Sequence, residues 1–397
     1  MGYRFGRADI AFLASATGRA ALAEVDRLEL SPATHLRDLE RVRRDNGEHA
    51  AALVETVRLR RKAAAKLHGA GEWLFTDDAL QQATPTTVAR HRAARLAGRA
   101  VHDVTCSIGA ELAELAEVCP AVVGSDLDEV RLAIAAHNLG ARWWPLSGTA
   151  TGNVLLAKAD ALVPSSTGTV IIADPARRSD GRRTHDPAKL QPPLPDLLDA
   201  YAGRDIAVKC APGLDFDRLG WSGEIEVVSL DGAVREACLW SAGLAESGVT
   251  RRATVLSARG APEVLTDAEP DELLERPPGD WIIDPDGAIV RAGLVRHYAA
   301  RHGLWQLDPH IAYLTGDAVP EGVRGFRIED RLELREKTLR QELARRDCGA
   351  LEILVRGVDV DPDALRKRLK LRGSVPYTLV ITRIGRAAAV FLCTAHV

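Results

Sequence analysis

The stretch Asp103-Val-Thr-Cys-Ser-Ile-Gly109 decides the fold that this sequence predicts. It continues the short apolar run at residues 100–104 and precedes residues 110–118, where apolar side chains recur at helical spacing. Small residues between a buried strand and a helix let the backbone approach a ligand closely. We therefore expect the first strand-to-helix turn of a doubly wound α/β sheet, with the ligand outside the carboxyl ends of the strands.

The sequence on either side continues the alternation of strands and helices. Residues 128–139 have helical periodicity, and further apolar runs end in polar residues or glycine at 121–125, 170–173 and 206–209. Parallel strands joined by crossover helices produce this pattern. Residues 224–230 and 234–242 predict a closing hairpin. We predict a Rossmann-like doubly wound sheet over residues 73–256.

The flanking regions predict two smaller domains. Residues 1–72 have helical periodicity and form an N-terminal helical domain, in which Ser31-Pro32 is expected to begin a helix. Residues 257–330 predict a linker and helical connection, with one helix over 289–302. Residues 331–397 predict a small α+β domain.

The composition is that of an ordinary globular protein and excludes several classes. Of 397 residues, 46% are hydrophobic and 27% are charged, and the net charge is -3. This balance excludes a globally basic nucleic-acid binder but allows a local basic patch. The six cysteines are scattered without zinc spacing, so we expect free thiols and no metal. No apolar run reaches bilayer length and no signal peptide is evident, which predicts a cytoplasmic protein without a membrane partner.

Acidic residues follow three of the expected strands and predict the cofactor. Asp126 ends the second strand and can accept both hydroxyls of a ribose, whereas Asp160 can receive an adenine amino group. Asp103 precedes the first turn, where a carboxylate repels a pyrophosphate but attracts an ammonium group. This charge favours S-adenosylmethionine over NAD, which would also require G-x-G-x-x-G.

These motifs make residues 72–242 resemble a class I S-adenosylmethionine-dependent methyltransferase. By this resemblance 103–109 is motif I, and Asp174-Pro175 is motif IV. The family usually has glycine at the positions of Thr105 and Ser107. The cofactor-binding residues that the resemblance implies are Gln82, Thr84, Asp103, Thr105, Cys106, Ser107, Gly109, Asp126, Leu127, Asp160 and Ala161.

Two further segments resemble a bacterial subgroup that ends in a THUMP-like domain. Glu72-Trp-Leu-Phe-Thr76 with Gln81-Gln-Ala-Thr84 is similar to a segment that closes over the methionine part of the cofactor in that group. Residues 351–357 and 361–368 are similar to the THUMP-like domain itself. Together the resemblances cover most of the chain beyond residue 72.

The resemblance implies catalytic roles for Asp174, Pro175 and Arg177. Amino-methyltransferases of this fold hold an exocyclic amine with Asp or Asn and stack its base on an aromatic residue. Here Ala176 and Arg177 replace the second proline and the aromatic residue. A guanidinium can lie flat on a base, so Arg177 is the expected stacking residue. Methylation of an amine is therefore the favoured chemistry.

Cys210 leaves a second chemistry open. RNA 5-methyluridine methyltransferases have an outline similar to Asp174-Pro-Ala-Arg177 with Cys210-Ala-Pro212, and use the cysteine as a nucleophile. Lys209 could lower the pKa of this thiol. A lone cysteine at a strand end is more often simply buried.

Basic clusters and the THUMP-like tail predict structured RNA, either tRNA or rRNA, as the partner. Arginines and lysines are dense at 37–44, 58–66 and 366–372, and either grip phosphates or form solvated helix faces. Two other hypotheses stay open: methylation of a small acidic metabolite or a protein, and a non-catalytic RNA-binding module. The sequence leaves the oligomeric state open.

Overall fold

A computed structural model describes residues 3–140, 142–143, 153–176, 178–179, 182–183, 186–258, 260–273 and 275–396. The chain divides into two compact units. The first consists of Met1–Glu224 and Glu236–Ala245, and the second of Ile225–Arg235 and Glu246–Val397. The four-domain division predicted from the sequence stays a prediction.

The first unit begins with helices. They are α1 (Arg7–Ala14), α2 (Ala16–Asp26), α3 (His35–Asn46), α4 (Ala50–Ala63), α5 (Asp77–Gln82) and α6 (Thr86–Arg95). Apolar residues of α1, α2 and α4 form a buried cluster that also includes Ile108 and Ile134. The helical domain therefore packs directly on the loop that follows the first strand.

The predicted helix start at Ser31-Pro32 is wrong. Helix α3 begins at His35, after a turn in which the Thr34 N–H donates to the Ser31 carbonyl at 3.1 Å. Asp38 accepts a hydrogen bond from the Leu30 N–H at 3.1 Å, and this contact fixes the approach of the chain. The Asp38 side chain, from within α3, fixes the preceding turn, and the local preference of Ser31-Pro32 for a helix start is not followed.

Basic residues of α4 and the turn after it hold neighbouring segments in place. Arg60 donates to the Trp73 and Glu72 carbonyls at 2.9 and 2.6 Å. Arg61 donates to the carbonyls of residues 26, 28 and 29, and Lys66 donates to those of residues 80 and 81. These cations satisfy carbonyl groups at the ends of helices and turns, so this part of the N-terminal basic cluster has a structural use.

Strands and helices alternate in the rest of the first unit. They are β1 (Val101–Asp103), α7 (Ala110–Val118), β2 (Val122–Asp126), α8 (Glu129–Leu139), β3 (Arg142–Trp143), β4 (Val154–Lys158), β5 (Val170–Ala173), β6 (Arg178–Ser179), β7 (Arg182–Arg183), α9 (Leu194–Ala200) and β8 (Ile206–Cys210). The chain continues through β9 (Glu224–Leu230) and β10 (Ala233–Trp240), which contribute residues to both units.

Strands β6 and β7 form a two-stranded sheet, and seven other strands of the first unit form a doubly wound sheet. Their order is β10-β8-β5-β1-β2-β4-β3. Neighbours from β8 to β3 are parallel, and β10 is antiparallel to β8. The order reverses between β1 and β5, and the carboxyl ends of the strands at such a point form the ligand site in open α/β sheets. The predicted Rossmann-like fold class is confirmed.

Helix α7 packs closely on β2 at Gly124. A Cβ atom at Gly124 would lie 2.3 Å from Leu112 Cδ1 and 3.1 Å from Cys106 Cβ. Leu112, Leu115 and Cys106 are buried in the same cluster. The absence of a side chain at Gly124 therefore sets the position of α7 and of the loop that enters it.

The second unit carries the remaining elements. They are β11 (Arg251–Leu256), β12 (Glu263–Thr266), β13 (Trp281–Ile283), α10 (Gly287–Ala292), α11 (Val295–His302), β14 (Trp305–Gln306), β15 (Leu314–Gly316), β16 (Gly325–Leu332), α12 (Glu336–Arg345), β17 (Cys348–Arg356), α13 (Pro362–Leu369), β18 (Val375–Ile384) and β19 (Ala387–His396). Gly293, with φ of 79°, separates α10 from α11, so the single helix expected over 289–302 is two helices.

A seven-stranded sheet forms most of the second unit. Its order is β14-β15-β13-β16-β19-β18-β17, with only β17 and β18 parallel among the described strands. Alternate residues of β18 face opposite sides: Leu379 and Ile381 pack in one cluster, and Val380 packs in another. Its first strand along the chain, β13, begins at Trp281, within the region predicted as a linker. Strands of two or three residues leave no periodic pattern in the sequence, so the sequence did not predict them.

Candidate active site

A cavity of about 470 Å³ lies at the carboxyl ends of β1, β2 and β5, where the strand order reverses. Ten of the eleven predicted cofactor-binding residues line it, as does Asp174; they are Gln82, Thr84, Asp103, Thr105, Cys106, Ser107, Asp126, Leu127, Asp160 and Ala161. Gly109 and Pro175 do not line it. Arg177 lies outside the described residues. The fold thus brings together residues that are far apart in the sequence.

Thr105 links the ends of two neighbouring strands. Its N–H and its hydroxyl donate to Asp103 Oδ1 at 2.9 and 3.3 Å. The hydroxyl oxygen also accepts a hydrogen bond from the Asp174 N–H at 2.7 Å. Glycine at this position could not make the two hydroxyl contacts. The departure from the family pattern therefore joins the acid that ends β1 to the acid that follows β5.

Two residues with positive φ turn the loop into α7. Ser107 has φ of 50° and Gly109 has φ of 81°. Left-handed backbone costs little for glycine but is strained for serine. The Ser107 N–H donates to Asp126 Oδ2 at 3.0 Å, which holds the loop against the end of β2. Gly109 contributes backbone shape to the site and does not contact the cavity.

Asp126 and Asp160 border the outer part of the cavity. Asp126 accepts hydrogen bonds from two backbone N–H groups, those of Ser107 and Asp128, at 3.0 and 2.8 Å. Its carboxylate is therefore fixed in orientation and retains lone pairs for ribose hydroxyls. Asp160 is exposed, and its Oδ1 accepts from the Leu162 N–H at 2.9 Å. Leu127 is 60% exposed and offers an apolar surface for an adenine ring.

The segment before β1 is fastened to the loop by Asn138. Asn138 Oδ1 accepts from the Leu74 N–H at 2.8 Å, and its Nδ2 donates to the Leu74 and Ile108 carbonyls at 3.1 Å each. Gln82 and Thr84 follow this segment and reach the cavity, Gln82 exposed and Thr84 buried. Asn138 was not predicted, because its helical position in α8 looks like any polar surface residue.

Three carboxyl groups and one lysine form the inner end of the cavity, which we call the acidic end: Asp103, Glu111, Asp174 and Lys209. Lys209 Nζ donates to Asp174 Oδ2 at 2.6 Å and to Thr84 Oγ1 at 2.5 Å. Its distance to Glu111 Oε2 is 4.0 Å. Lys209 therefore pairs mainly with Asp174 and ties the acid after β5 to the segment before β1.

The carboxyl group of Asp103 titrates near neutrality. Burial raises its pKa to about 7, and the negative charges of Glu111 and Asp174 add to this effect. The Thr105 N–H and the Lys209 ammonium act in the opposite direction. A cation bound at the acidic end would favour the ionised form.

Arg92 lies behind the acidic end, fully buried. Its guanidinium donates to Glu111 Oε1 and to Glu236 Oε1. Burial lowers the pKa of Arg92, but nearby negative charge, that of Glu111 foremost, raises it above its ordinary value. Arg92 therefore holds Oε1 of Glu111 and makes no hydrogen bond to Oε2.

The chain leaves the cavity after Asp174-Pro175 and returns to it at Gln191. Ala176 and Gln191 pair through their backbones, and we call this pair the neck. The Ala176 N–H donates to the Gln191 carbonyl at 2.8 Å, and the Gln191 N–H donates to the Ala176 carbonyl at 3.0 Å. Ala176, Gln191, Pro192 and Pro193 all line the cavity. The prolines thus supply apolar surface beside Asp174, where the sequence has no aromatic residue after Pro175.

The cysteines differ from the arrangement that covalent catalysis requires. Cys210 is buried and is not part of the cavity lining, because alternation along β8 directs Lys209 into the cavity. Cys106 lines the cavity, but burial raises the pKa of its thiol well above the usual value. Cys106 therefore stays a protonated packing residue.

No group of three or more metal-ligating side chains occurs within the described ranges. No described helix has the length and apolar character needed to cross a membrane.

Comparisons with known proteins assign relatives to both parts of the chain. Residues 323–395 match a family model described as THUMP domain-like, and residues 6–63 match one described as a domain of unknown function. Sequences from two strains of Mycobacterium tuberculosis, named uncharacterized S-adenosylmethionine-dependent methyltransferase, are 58% identical over 360 residues. They cover 88% of this chain and 97% of their own length.

One solved structure extends over nearly the whole chain. It is a protein from Porphyromonas gingivalis that is described as a methyltransferase. It is 19% identical, covers 98% of this chain and 99% of that chain, and has a TM-score of 0.74. This likeness concerns the fold alone.

Proposed function

This chain belongs to the S-adenosylmethionine-dependent methyltransferases, and on that premise we propose that it methylates an amino group on a base of structured RNA, either tRNA or rRNA. S-adenosylmethionine is the cofactor of the family. The acceptor is our proposal, and so is a cytoplasmic location, where both the cofactor and structured RNA are found.

The residues of the cavity fit this cofactor. Asp103 would bind the ammonium of the methionine part, Asp126 the ribose hydroxyls, and Asp160 with Leu127 the adenine. More carboxylates than cations line the acidic end, which suits a ligand with an ammonium and a sulfonium and disfavours a pyrophosphate. When bound, S-adenosylmethionine supplies a methyl group that is already activated, so the chain contributes mainly position and orientation.

The observation that carries the proposal is the arrangement of Asp174. Its N–H is held by Thr105 and its Oδ2 by Lys209, which leaves Oδ1 without a hydrogen-bond partner among the described residues. An oxygen fixed in this way can accept a hydrogen bond from an exocyclic amine and orient the lone pair of its nitrogen. The same oxygen can take the proton that the amine loses on methylation.

The C-terminal domain supports RNA as the substrate class. Residues 323–395 match a THUMP domain-like family, and THUMP domains proper bind RNA. The likeness of this domain to THUMP domains supports RNA as the substrate by analogy. Arg177 remains our proposed stacking residue for the base.

The test is a transfer assay read at the level of nucleosides. We expect label from S-adenosylmethionine to enter total RNA and to appear, after digestion, on an exocyclic amine. Asp174→Ala should lower this rate at least about 100-fold, because the amine loses its acceptor. Asp199→Ala, an exposed carboxylate on α9 outside the cavity, should keep the rate.

Other outcomes would favour the competing functions. Label found only in protein or in small metabolites would overturn the RNA proposal and leave the cofactor assignment intact. Absence of cofactor binding at high micromolar concentration would instead favour a non-catalytic RNA-binding module.

A further inference from the structure

Glu111 has a buried carboxylate oxygen that no group of the described chain satisfies. The residue lies in the first turn of α7, is 6% exposed and lines the cavity. Its Oε1 accepts a hydrogen bond from Arg92, whereas its Oε2 has no hydrogen-bond partner. Leaving a charged oxygen desolvated and unpaired is costly, so such an oxygen beside a cavity indicates a missing donor.

The neighbouring cations do not supply that donor. Lys209 Nζ lies 4.0 Å from Glu111 Oε2, beyond hydrogen-bond distance, and already donates to Asp174 and Thr84 at 2.6 and 2.5 Å. Arg92 divides its guanidinium between Glu111 Oε1 and Glu236. Among the described residues no donor is left for this oxygen, so a ligand group at the acidic end can supply one.

The surrounding charges select the kind of ligand group. Asp103, Glu111 and Asp174 face a single lysine at the acidic end. An additional cation with several N–H donors would balance this charge, and it would also stabilise the ionised form of Asp103. An ammonium group has both properties.

We infer that Glu111 Oε2 binds the ammonium of the methionine part of S-adenosylmethionine, as a second carboxylate beside Asp103. Arg92 fixes Oε1 of Glu111, so that Oε2 is left for a donor of the ligand. The inference concerns the cofactor alone and holds whichever acceptor the protein methylates.

The test compares two ligands that differ in the ammonium. S-adenosylhomocysteine carries it, and the deaminated analogue of S-adenosylhomocysteine keeps the carboxylate but lacks the amine. We expect Glu111→Gln to weaken binding of S-adenosylhomocysteine about 10- to 100-fold, the loss typical of one charge-assisted hydrogen bond. Binding of the deaminated analogue should change less than about twofold. Calorimetric titration of the full-length protein measures both constants.

Glu236→Gln is the matched control. Glu236 is as buried as Glu111 and pairs with the same Arg92, but it does not line the cavity. This variant should keep the affinity ratio between the two ligands. If Glu236→Gln changes the ratio as much as Glu111→Gln does, the effect arises from Arg92 and the inference fails.

Two further results separate binding from stability. Equal weakening of both ligands in Glu111→Gln would assign Glu111 a purely structural role and overturn the inference. Should that variant unfold, Glu111→Asp keeps the charge on a shorter side chain. We then expect a reduced ratio at an unchanged affinity for the deaminated analogue, and an unchanged ratio would contradict the proposal.

Discussion

At the scale of single residues, the charge of the cavity depends on the carboxyl group of Asp103. Only 4% of this residue is exposed, and its contacts are the Thr105 N–H and hydroxyl. Because its pKa is about 7, the group changes charge within the physiological range. The affinity for a cationic ligand is therefore linked to pH.

We predict that the affinity for S-adenosylhomocysteine rises with pH between about 6 and 8. Below pH 7 Asp103 is protonated, and a bound ammonium must displace that proton, so affinity should fall by up to about tenfold per pH unit. Titrations across this range measure the effect. Asp103→Asn should bind weakly with a flat profile, and a wild-type profile equally flat would contradict the prediction.

The same titration changes the stability of the ligand-free protein in the opposite direction, since stability falls over the pH range in which affinity rises. The folded-state pKa of Asp103 lies above the ordinary value of 3.8, so its favourable contribution to folding is complete below about pH 4. That contribution is lost as the pH rises through 7, when the buried carboxylate becomes charged. Bound ligand should remove this loss.

At the scale of elements, the turn from β1 into α7 contains a strained serine, Ser107, and a position where only glycine fits without strain, Gly109. Ser107 and Gly109 both have positive φ. A Cβ atom at Gly109 would also lie 2.8 Å from Leu139 Cδ1 on α8. The two positions should therefore respond oppositely to substitution.

We predict that Ser107→Gly raises the free energy of unfolding by up to about 1 kcal/mol, because it relieves left-handed strain. Gly109→Ala should lower it by about 1 to 3 kcal/mol, since alanine adds both strain and a contact with Leu139. Denaturant unfolding measures both changes. Destabilisation by Ser107→Gly would show that its side chain matters more than its backbone.

The helices around this turn could be predicted from the sequence, whereas several side-chain contacts in the cavity could not, for a physical reason. The residues of α7 were predicted correctly, and those of α8 within one residue, because apolar periodicity and the Asp128 cap mark them locally. The confirmed fold class followed from the alternation of strands and helices, and the confirmed cofactor followed from acids at strand ends. The pairing of Lys209 with Asp174, and the position of Glu111, depend on contacts between α7, β5 and β8 that no local pattern records.

Strands β13, β14 and β15 were missed for a related reason. Each has two or three residues, too few to establish alternation, and β13 pairs with Leu314–Gly316 and Gly325–Arg327, far along the chain. Tertiary pairing rather than propensity makes these segments strands. These residues therefore form strands within the region predicted as a linker and helical connection.

At the scale of the whole molecule, the cavity belongs entirely to the first unit, and the THUMP-like residues 323–395 belong to the second. Cations of the second unit differ in how they are used. Arg366 and Arg368 pair with Asp363 and Glu336. Lys370 and Arg372 are exposed, and neither has an ion pair within the described part of the chain. The latter two are available for phosphates.

We predict that Lys370→Ala with Arg372→Ala weakens RNA binding without changing cofactor affinity. Loss of two phosphate contacts should reduce the slope of log affinity against log salt by about 1 to 2. Fluorescence anisotropy with labelled tRNA at several salt concentrations measures this slope. The exposed Arg27 of the N-terminal helices provides the control, Arg27→Ala, which should leave it unchanged. An unaltered slope in the double variant would separate the second unit from RNA binding.

The neck formed by Ala176 and Gln191 has a consequence for how such proteins diversify. Because two hydrogen bonds close the chain there, the segment between these residues can change in length and composition while Asp174 and the cofactor cavity keep their positions. Arg177, our proposed stacking residue, lies in this segment, so changes there would alter the acceptor and leave the cavity in place. Grafting the intervening segment from one homologue into another is accordingly a route to exchange substrate choice without rebuilding the enzyme.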